Sequence, residues 1–289
     1  MKKTAVLLLS IILLISCDSD DITPVNPSTI NNIQTEALPG AIKISWTREE
    51  PVTYEYIKVA YFDFLKEKDM VRLASSFSDT ILIPNTRAKY GDYKFTLQPV
   101  SITNNAGQLV EVSGKSGPAP TTVSVVDAKP VSLDANKLYT DAQEATEGPI
   151  ANLIDGNNNT YFHSSWSVNY GPMPHYIVVD LGKTVNGLSF SYVTRNHGGT
   201  GNHPNRMSIY VSNSFDDDYN TENAVLVDEL SNLPNGASQS FDSENYVLDG
   251  NYQYVWFEVN QTHGNTTYFA LAELAVSELI LEIIDPEVD

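Results

Sequence analysis

Residues 152–166 read NLIDGNNNTYFHSSW, and this stretch decides how the chain is interpreted. Asp-Gly followed by three Asn does not suit a helix interior, because Asn and Gly favour left-handed backbone conformations and Asx side chains bond within their own turns. We therefore predict a tight loop with oxygen atoms from Asp155, Asn157, Asn158 and Thr160. Ca²⁺ prefers roughly six to eight oxygen ligands, so this loop is a candidate cation site. A structural turn that binds no ligand is the alternative.

Aromatic residues follow this loop directly. We expect Tyr161, Phe162 and Trp166 to anchor the loop in a hydrophobic core, because aromatic side chains bury large apolar surfaces. His163 lies among them and is placed beside the loop.

The same stretch resembles the signature of discoidin-like domains, the coagulation factor five/eight C-type fold that includes family 32 carbohydrate-binding modules. That signature runs Ala-x-x-hydrophobic-Asp-Gly-(Asn/Asp)-x-x-Thr-x-Trp-His-(Ser/Thr)-x-Trp. The matching positions are Ala151, Ile154, Asp155, Gly156, Asn157, Thr160, His163, Ser164 and Trp166. Phe162 stands where the family usually has Trp, and this departure keeps an aromatic anchor.

Three later segments resemble the same family, in the family's order. Residues 175–182 read HYIVVDLG, residues 207–212 read MSIYVS, and residues 272–276 read AELAV. The resemblance spans roughly residues 130 to 282, and it implies a discoidin-like β-sandwich.

The resemblance also implies a structural Ca²⁺ site. In the family a Glu on the last strand completes the metal cage, and here that residue is Glu273. The implied ligands are the side chains of Asp155, Asn157, Thr160 and Glu273, with backbone carbonyls such as that of Ala272. Asn158 is a substitute for Asn157. A cation-free loop closed by hydrogen bonds remains the alternative.

The sugar-binding residues of the family's galactose-type members correspond to four positions of this chain. They are Glu144, His163, Arg195, and either Tyr268 or Phe269. An arginine suits neighbouring sugar hydroxyls because its planar fork donates to two oxygens at once. Alternation along the strand places one of Tyr268 and Phe269 inward without deciding which.

Each of these positions has another interpretation. Glu147 lies three residues after Glu144 and is the alternative acid of the site, and a solvated surface acid is the other interpretation of Glu144. His163 also suits a hydrogen-bonded core imidazole, and Arg195 suits a partner for a loop carboxylate. Asn196, at the start of the Gly- and His-rich loop that follows Arg195, is expected to line the same site.

Composition favours two all-β domains. The chain has 289 residues, and short β-branched and aromatic runs alternate with Asn, Gly, Pro and Asp. Lys plus Arg number 17 against 36 Asp plus Glu, a net charge of −19, which argues against nucleic acid or anionic lipid as a partner. The single cysteine excludes an internal disulfide bond.

The amino-terminal segment is typical of a lipoprotein signal peptide. Lys2 and Lys3 precede an apolar run that ends in Leu-Ile-Ser before Cys17, which resembles a bacterial lipobox. We therefore expect residues 1–17 to form the leader with its lipidation site at Cys17, and residues 18–30 to form a tether. The acidic residues after Cys17 resemble the surface-export signal of Bacteroidetes lipoproteins, which implies an outer-membrane protein exposed at the cell surface.

Residues 31–126 are expected to form the first sandwich and residues 127–289 the second. In the first, residues 39–46 read PGAIKISW, residues 93–100 read YKFTLQPV and residues 104–107 read NNAG. This order resembles a fibronectin type III domain, and we interpret the domain as a spacer. Several of its aromatic residues suit either a sugar platform or, more simply, the sandwich core: Trp46, Tyr54, Tyr56, Tyr61 and Phe62.

These observations predict a cell-surface lipoprotein that binds neutral glycans without catalysis. The implied sugars are of the galactose or N-acetylgalactosamine type, and products of neighbouring polysaccharide-utilisation genes are candidate partners. A protein–protein or adhesion module that uses the same loops is the alternative. An enzyme is not expected, because the carboxylates of residues 216–218 lie in a polar loop that lacks an apolar pocket to raise a pKa.

Overall fold

The computed structural model describes residues 23–197 and 201–288. The prediction of an all-β chain is confirmed, since the described residues form sixteen strands and three short 3₁₀ turns. Among these residues there is no helix with the length and apolar character needed to cross a membrane. Cys17 and the expected leader lie outside the described residues.

The first structural unit contains seven strands in two sheets. One sheet has the order β1-β2-β5 and the other has the order β4-β3-β6-β7. The strands are β1 (Ile30–Leu38), β2 (Ala41–Arg48), β3 (Tyr56–Asp63), β4 (Lys68–Ser75), β5 (Thr80–Pro84), β6 (Asp92–Val100) and β7 (Val110–Lys115).

Alternating side chains of both sheets meet in one core. Ile42 and Ile44 on β2 are fully buried, as are Ile57 on β3 and Phe95 on β6. This period of two is what strands with one buried face require. Most of the candidate platform aromatics of this unit join that core: Trp46, Tyr54 and Tyr61 are buried, whereas Phe62 is 43% exposed.

The second unit is built from nine hydrogen-bonded strands. The main order is β10-β16-β11-β15-β12-β13, with β8 paired to β16 and both β9 and β14 paired to β11. The strands are β8 (Thr122–Pro130), β9 (Leu138–Tyr139), β10 (Phe162–His163), β11 (His175–Thr194), β12 (Pro204–Ser212), β13 (Val225–Ser231), β14 (Ser240–Asp242), β15 (Tyr246–Thr262) and β16 (Ala270–Ile284).

Two long strands wrap this unit around a single core. The pairing of β11 with β15 shifts register between Asp180 and Val185 and again before Gly187. Such irregularities bend paired strands, so one continuous ladder can serve two faces of a sandwich. Phe162, Phe257 and other apolar side chains fill the core between those faces.

The last residues of the chain cluster with the first unit. Contacts divide the described residues into one unit of residues 23–122 with 284–288 and another within residues 123–283. The boundary expected between residues 126 and 127 falls within β8. In the first unit Glu287 accepts backbone hydrogen bonds from Ala88, Lys89 and Ala119 at 3.2, 2.8 and 2.6 Å. The first two of these groups open a 3₁₀ turn, where backbone N–H groups have no partner within the turn itself.

Candidate functional site

Strand pairing brings three of the predicted site residues to the same end of the second unit. His163 on β10 pairs with Ala270 on β16, and Thr194 at the end of β11 pairs with Leu271. Tyr268 comes just before β16 and Arg195 just after β11. The order β10-β16-β11 therefore makes neighbours of residues that are up to about a hundred positions apart in sequence.

Arg195 lies over an aromatic face. Its guanidinium carbon is 3.6 Å from the ring centroid of Tyr161. The Tyr161 hydroxyl donates to Glu147 at 2.6 Å, and the Trp166 indole N–H donates to the other oxygen of the same carboxylate at 2.8 Å. This network holds the two aromatic rings and the arginine in one arrangement, with the partly exposed Glu147 at its centre.

Glu147 remains ionised at neutral pH. The hydrogen bond from Tyr161 lowers its pKa first, burial opposes this, and the hydrogen bond from Trp166 lowers it further. The nearby Arg195 cation also favours the charged carboxylate. The acid at this end of the sandwich is therefore a hydrogen-bond acceptor at neutral pH.

His163 is buried and neutral. Its Nδ1–H donates to the Ser164 carbonyl at 2.6 Å, which leaves Nε2 to accept from the Asn202 amide at 3.2 Å. Burial lowers the His163 pKa, and the nearby Arg195 lowers it further. The imidazole ring packs 5.5 Å from the Tyr268 ring, at an angle of 35°.

Glu144 does not face the site, in contrast to the interpretation from sequence. It is only 2% exposed, and it accepts hydrogen bonds from Thr146, Ser165, Trp166 and Ser167. Burial alone would raise its pKa, but hydrogen bonds from Ser167 and Thr146 to the charged form lower the pKa to about 2. Glu144 thus organises the loop, and Glu147 is the acid beside Arg195.

The ambiguity between Tyr268 and Phe269 is also resolved. Phe269 is fully buried and packs edge-on against Phe162 at 5.6 Å, so the assignment of Phe269 as a ligand-binding residue is wrong. Tyr268 is partly exposed beside His163. Asn196 is exposed, and its amide donates to Asn159 at 3.0 Å, which links the loop after β11 to the Asn-rich turn.

Trp166 is not a core anchor. Its side chain is 54% exposed, whereas Phe162 is fully buried. The expectation that Trp166 would bury failed because the residue follows β10 in an irregular loop, where no strand alternation directs the side chain inward.

The Asn-rich turn has the predicted concentration of oxygen atoms. The Thr160 hydroxyl lies 2.9 and 2.7 Å from the two Asp155 carboxylate oxygens and 2.6 Å from the Asn157 carbonyl oxygen. The Asn157 backbone N–H donates both to Asp155 at 2.9 Å and to Glu273 at 2.7 Å. Asn158 is exposed on the same turn, and Ala272 is buried next to Glu273.

This donor set fits a hard cation. Burial raises the Glu273 pKa, and the adjacent Asp155 carboxylate raises it further, as expected for two acids that share one place. In the described part of the chain no three His, Cys, Asp or Glu side chains cluster as a metal site. A cation here would therefore take its other ligands from the Thr160 hydroxyl and backbone oxygens, which suits Ca²⁺.

The arrangement of strands, end loops and oxygen-rich turn agrees with a sequence match. Residues 137–274 match the family model of the F5/8 type C domain. The discoidin-like resemblance is thereby confirmed for this segment, which contains the Asn-rich turn and every residue of the site at its loop end. No curated protein has a significantly similar sequence.

Several solved structures are similar to the F5/8 type C segment or to most of the chain. A family 32 module from Clostridium perfringens NanJ, in complex with galactose, has 22% identity and covers 53% of this chain and 100% of its own, with a TM-score of 0.40. A SusE-like protein has 15% identity, and the match covers 86% of this chain and 97% of that protein, with a TM-score of 0.40. A striped bass (Morone saxatilis) fucolectin has 15% identity, covers 86% of each chain, and has a TM-score of 0.38.

Proposed function

We propose that this protein binds neutral glycans at the loop end of its F5/8 type C domain. The observation that carries the proposal is the placement of Arg195 over Tyr161, beside the ring pair of His163 and Tyr268. A cationic fork and partly exposed aromatic rings at one end of a sandwich suit a ligand with both hydroxyl groups and apolar C–H faces.

The named groups have separate roles in this proposal. Arg195 donates to neighbouring sugar hydroxyls, and Glu147 and Tyr161 keep its guanidinium oriented. Tyr268 offers a ring to the apolar face of the sugar. His163, held neutral, orients the Tyr268 ring and the Asn202 amide, while Asn196 lines the site. The galactose or N-acetylgalactosamine type follows from the resemblance of these residues to the family's galactose-binding members.

The carboxylates in and beneath the site support binding without catalysis. A general acid of a glycosidase needs a raised pKa, so that it carries a proton at neutral pH. The pKa values of Glu144 and Glu147 are both lowered by hydrogen bonds to the charged forms. Neither acid is therefore suited to protonate a glycosidic oxygen.

We also propose a structural Ca²⁺ ion at the Asn-rich turn. Asp155, Thr160 and Glu273 would hold it together with the Asn157 and Ala272 carbonyl oxygens. The ion would offset the repulsion between the two carboxylates and tie β16 to the turn. Asn158, exposed on the turn, is a secondary candidate ligand.

For the whole protein we propose a lipoprotein anchored through Cys17 in the outer membrane and exposed at the cell surface. The lipobox and the acidic residues after Cys17 support this proposal. The fibronectin type III-like first unit would then act as a spacer, and proteins of a polysaccharide-utilisation system would be its neighbours.

One observation favours a second candidate function, a protein–protein or adhesion module. Trp166, Val168 and Tyr170 are each more than half exposed in one loop beside the site, and exposed aromatic residues are enriched at protein interfaces. Competition by free galactose separates the two functions, since a protein partner gripped by this apolar loop would not be displaced.

A glycan array and calorimetry with Arg195→Ala test the glycan proposal. We expect the wild type to bind galactose-type glycans and Arg195→Ala to lose at least about 100-fold in affinity, because the main donor to the sugar is gone. Arg206→Ala, at an exposed arginine on β12 of the same unit, is the matched control and should bind like the wild type. A blank array for folded, Ca²⁺-loaded wild type would place the protein-partner function ahead.

A further inference from the structure

The first unit contains a cleft at the end of the sandwich where β2, β4 and β6 finish. Its volume is about 390 Å³, within the range of roughly 300–1,000 Å³ that is usual for small-ligand sites. Charged, phenolic and apolar side chains line it together: Arg48, Glu50, Tyr54, Glu55, Phe77 and Ile102. Ligands commonly bind at loops that a rigid scaffold positions, so this cleft is a candidate site outside the second unit.

Two of the lining side chains are apolar and lie mostly in water. Phe77 is 91% exposed and Ile102 is 72% exposed. The turn that carries Phe77 is held on both sides of Ser76. The Ser76 N–H donates to the Glu55 carbonyl at 3.1 Å, and the Ser76 carbonyl accepts from the Arg48 guanidinium at 3.2 Å. The phenyl ring is therefore presented from a fixed turn, and its apolar face is available to a ligand.

Tyr54 brings an unpaired polar group to this cleft. Its side chain is only 3% exposed, yet among the residues that the structure describes its hydroxyl has no hydrogen-bond partner. The Trp46 indole N–H approaches the hydroxyl without completing a hydrogen bond. Burial raises the Tyr54 pKa, so the hydroxyl keeps its proton at neutral pH and can donate. Because buried polar groups are nearly always paired in folded proteins, this hydroxyl is available to a molecule that enters the cleft.

The charged groups of the cleft offer both donors and acceptors. The Arg48 guanidinium is a fork of several N–H donors, one of which bonds to Ser76. Glu50 and Glu55 are exposed and accept hydrogen bonds only. One cation beside two carboxylates disfavours a phosphate or sulfate group, whereas hydroxyl groups can donate to the acids and accept from the arginine. A neutral saccharide supplies such hydroxyls and also an apolar C–H face for Phe77.

We propose that this cleft is a second glycan-binding site, in which a neutral saccharide stacks on Phe77 and hydrogen-bonds to Arg48 and the Tyr54 hydroxyl. The site belongs to the first unit alone. This inference therefore goes beyond the proposed function and does not require the loop-end site to bind sugar. The first unit then captures ligand as well as acting as a spacer.

A glycan array separates the two sites, because Arg195→Ala disables only the loop end. We expect this variant of the full chain to lose the galactose-type glycans and to keep other neutral oligosaccharides that the wild type also binds. Adding Phe77→Ala should weaken binding of those retained glycans about tenfold, the scale of one aromatic contact. Leu73→Ala, which removes a 61% exposed side chain from β4 of the same unit, is the matched control and should leave the array unchanged.

Tyr54→Phe tests the unpaired hydroxyl through two readouts. Since the hydroxyl has no hydrogen bond to lose within the described residues, the melting temperature should stay at or above that of the wild type. Calorimetric titration with a retained oligosaccharide should show about fivefold weaker binding, because the hydroxyl donates to the sugar. A lower melting temperature with unchanged affinity would assign the hydroxyl to folding and overturn its role in the cleft.

The failures of the two sites are distinguishable. If Arg195→Ala binds nothing on the array while the wild type binds galactose-type glycans, the cleft is refuted and the proposed function stands. The same holds if Phe77→Ala leaves binding of the retained glycans unchanged. If the wild type lacks galactose-type binding but holds other neutral glycans through Phe77, the loop-end function falls and the cleft remains. A folded wild type that binds no glycan refutes both.

Discussion

A comparison of the two units shows that aromatic residues on strands and aromatic residues on end loops have different roles. In the first unit Trp46 and Tyr61 lie on strands and fill the core between two sheets. In the second, Tyr161, Trp166 and Tyr268 lie on loops at one end of the strands, and their rings or polar atoms contact His163, Glu147 and Arg195. Both units also bury aromatic residues on their strands, so the position relative to the strand ends decides the role of each ring. An aromatic residue in a strand supplies volume, whereas one in a tethered end loop can supply a surface.

The largest expected effect is on the free energy of unfolding, and it separates the buried Trp46 from the exposed Trp166. Trp46→Ala should lower the free energy of unfolding by about 3–5 kcal/mol, because it opens a cavity in the first core. Trp166→Ala should lower it by about 1 kcal/mol or less, the value of one hydrogen bond that is partly replaced by water. Urea denaturation measures both. Similar losses of unfolding free energy for the two variants would contradict the difference between strand and loop aromatics.

A second contrast lies between two acids of one loop. Glu144→Gln should lower the melting temperature by about 5 °C or more, because backbone and hydroxyl donors lose a charged acceptor. Glu147→Gln should shift the melting temperature by less than about 2 °C, since this acid is more exposed, but it should weaken sugar binding severalfold by releasing Arg195. Calorimetric melting and sugar titration of both variants check these effects. A stable Glu144→Gln that no longer binds sugar would reverse the two roles.

Ca²⁺ should stabilise the second unit selectively. Adding millimolar Ca²⁺ after chelation should raise its melting temperature by about 3–5 °C, because an ion that binds the folded state shifts the folding equilibrium. Glu273→Gln should reduce that response strongly. Asp134→Asn, at an Asx turn elsewhere in the same unit, serves as the control and should respond like the wild type. A chelator-insensitive wild type would mean that hydrogen bonds alone close the turn.

The smallest effect is the response to acid. Burial holds the His163 pKa below its ordinary value of 6.5, so the unfolded chain takes up this proton at a higher pH than the folded protein does. Stability should therefore fall as the pH drops below about 6.5, until the folded-state pKa is passed. Denaturation midpoints from pH 7.5 to pH 5 would show this. His163→Gln should remove part of the dependence, while the similarly lowered pKa of His203 supplies the rest.

The sequence predicted the turn and the strand ends because their chemistry is local. Asp-Gly with consecutive Asn residues has few backbone alternatives, and Arg195 and Tyr268 adjoin long alternating strands whose pairing places them together. The Asp155–Thr160 contact and the approach of Glu273 follow from the same order of elements.

The wrong predictions concern residues outside regular strands, where no alternation decides which way the side chain points. Glu144 and Glu147 lie three apart in an irregular loop, so spacing does not tell which acid turns inward. Trp166 looked like an anchor because of its size, although it lies beyond the end of β10. For Tyr268 and Phe269, alternation restricts the choice to one of the pair, and only the register of β16 against β10 decides it.

The contact of Glu287 with the first unit makes the F5/8 type C segment an insertion in sequence order. The chain leaves the first unit after residue 122 and returns to it at residue 284. A stop codon or protease cut near residue 283 would therefore destabilise the first unit rather than the second. The backbone N–H groups of Ala88, Lys89 and Ala119 would lose the Glu287 carboxylate that accepts from all three. Production of the first unit alone should therefore keep residues 284–289, and truncation mapping from the carboxyl end would otherwise assign the damage to the second unit.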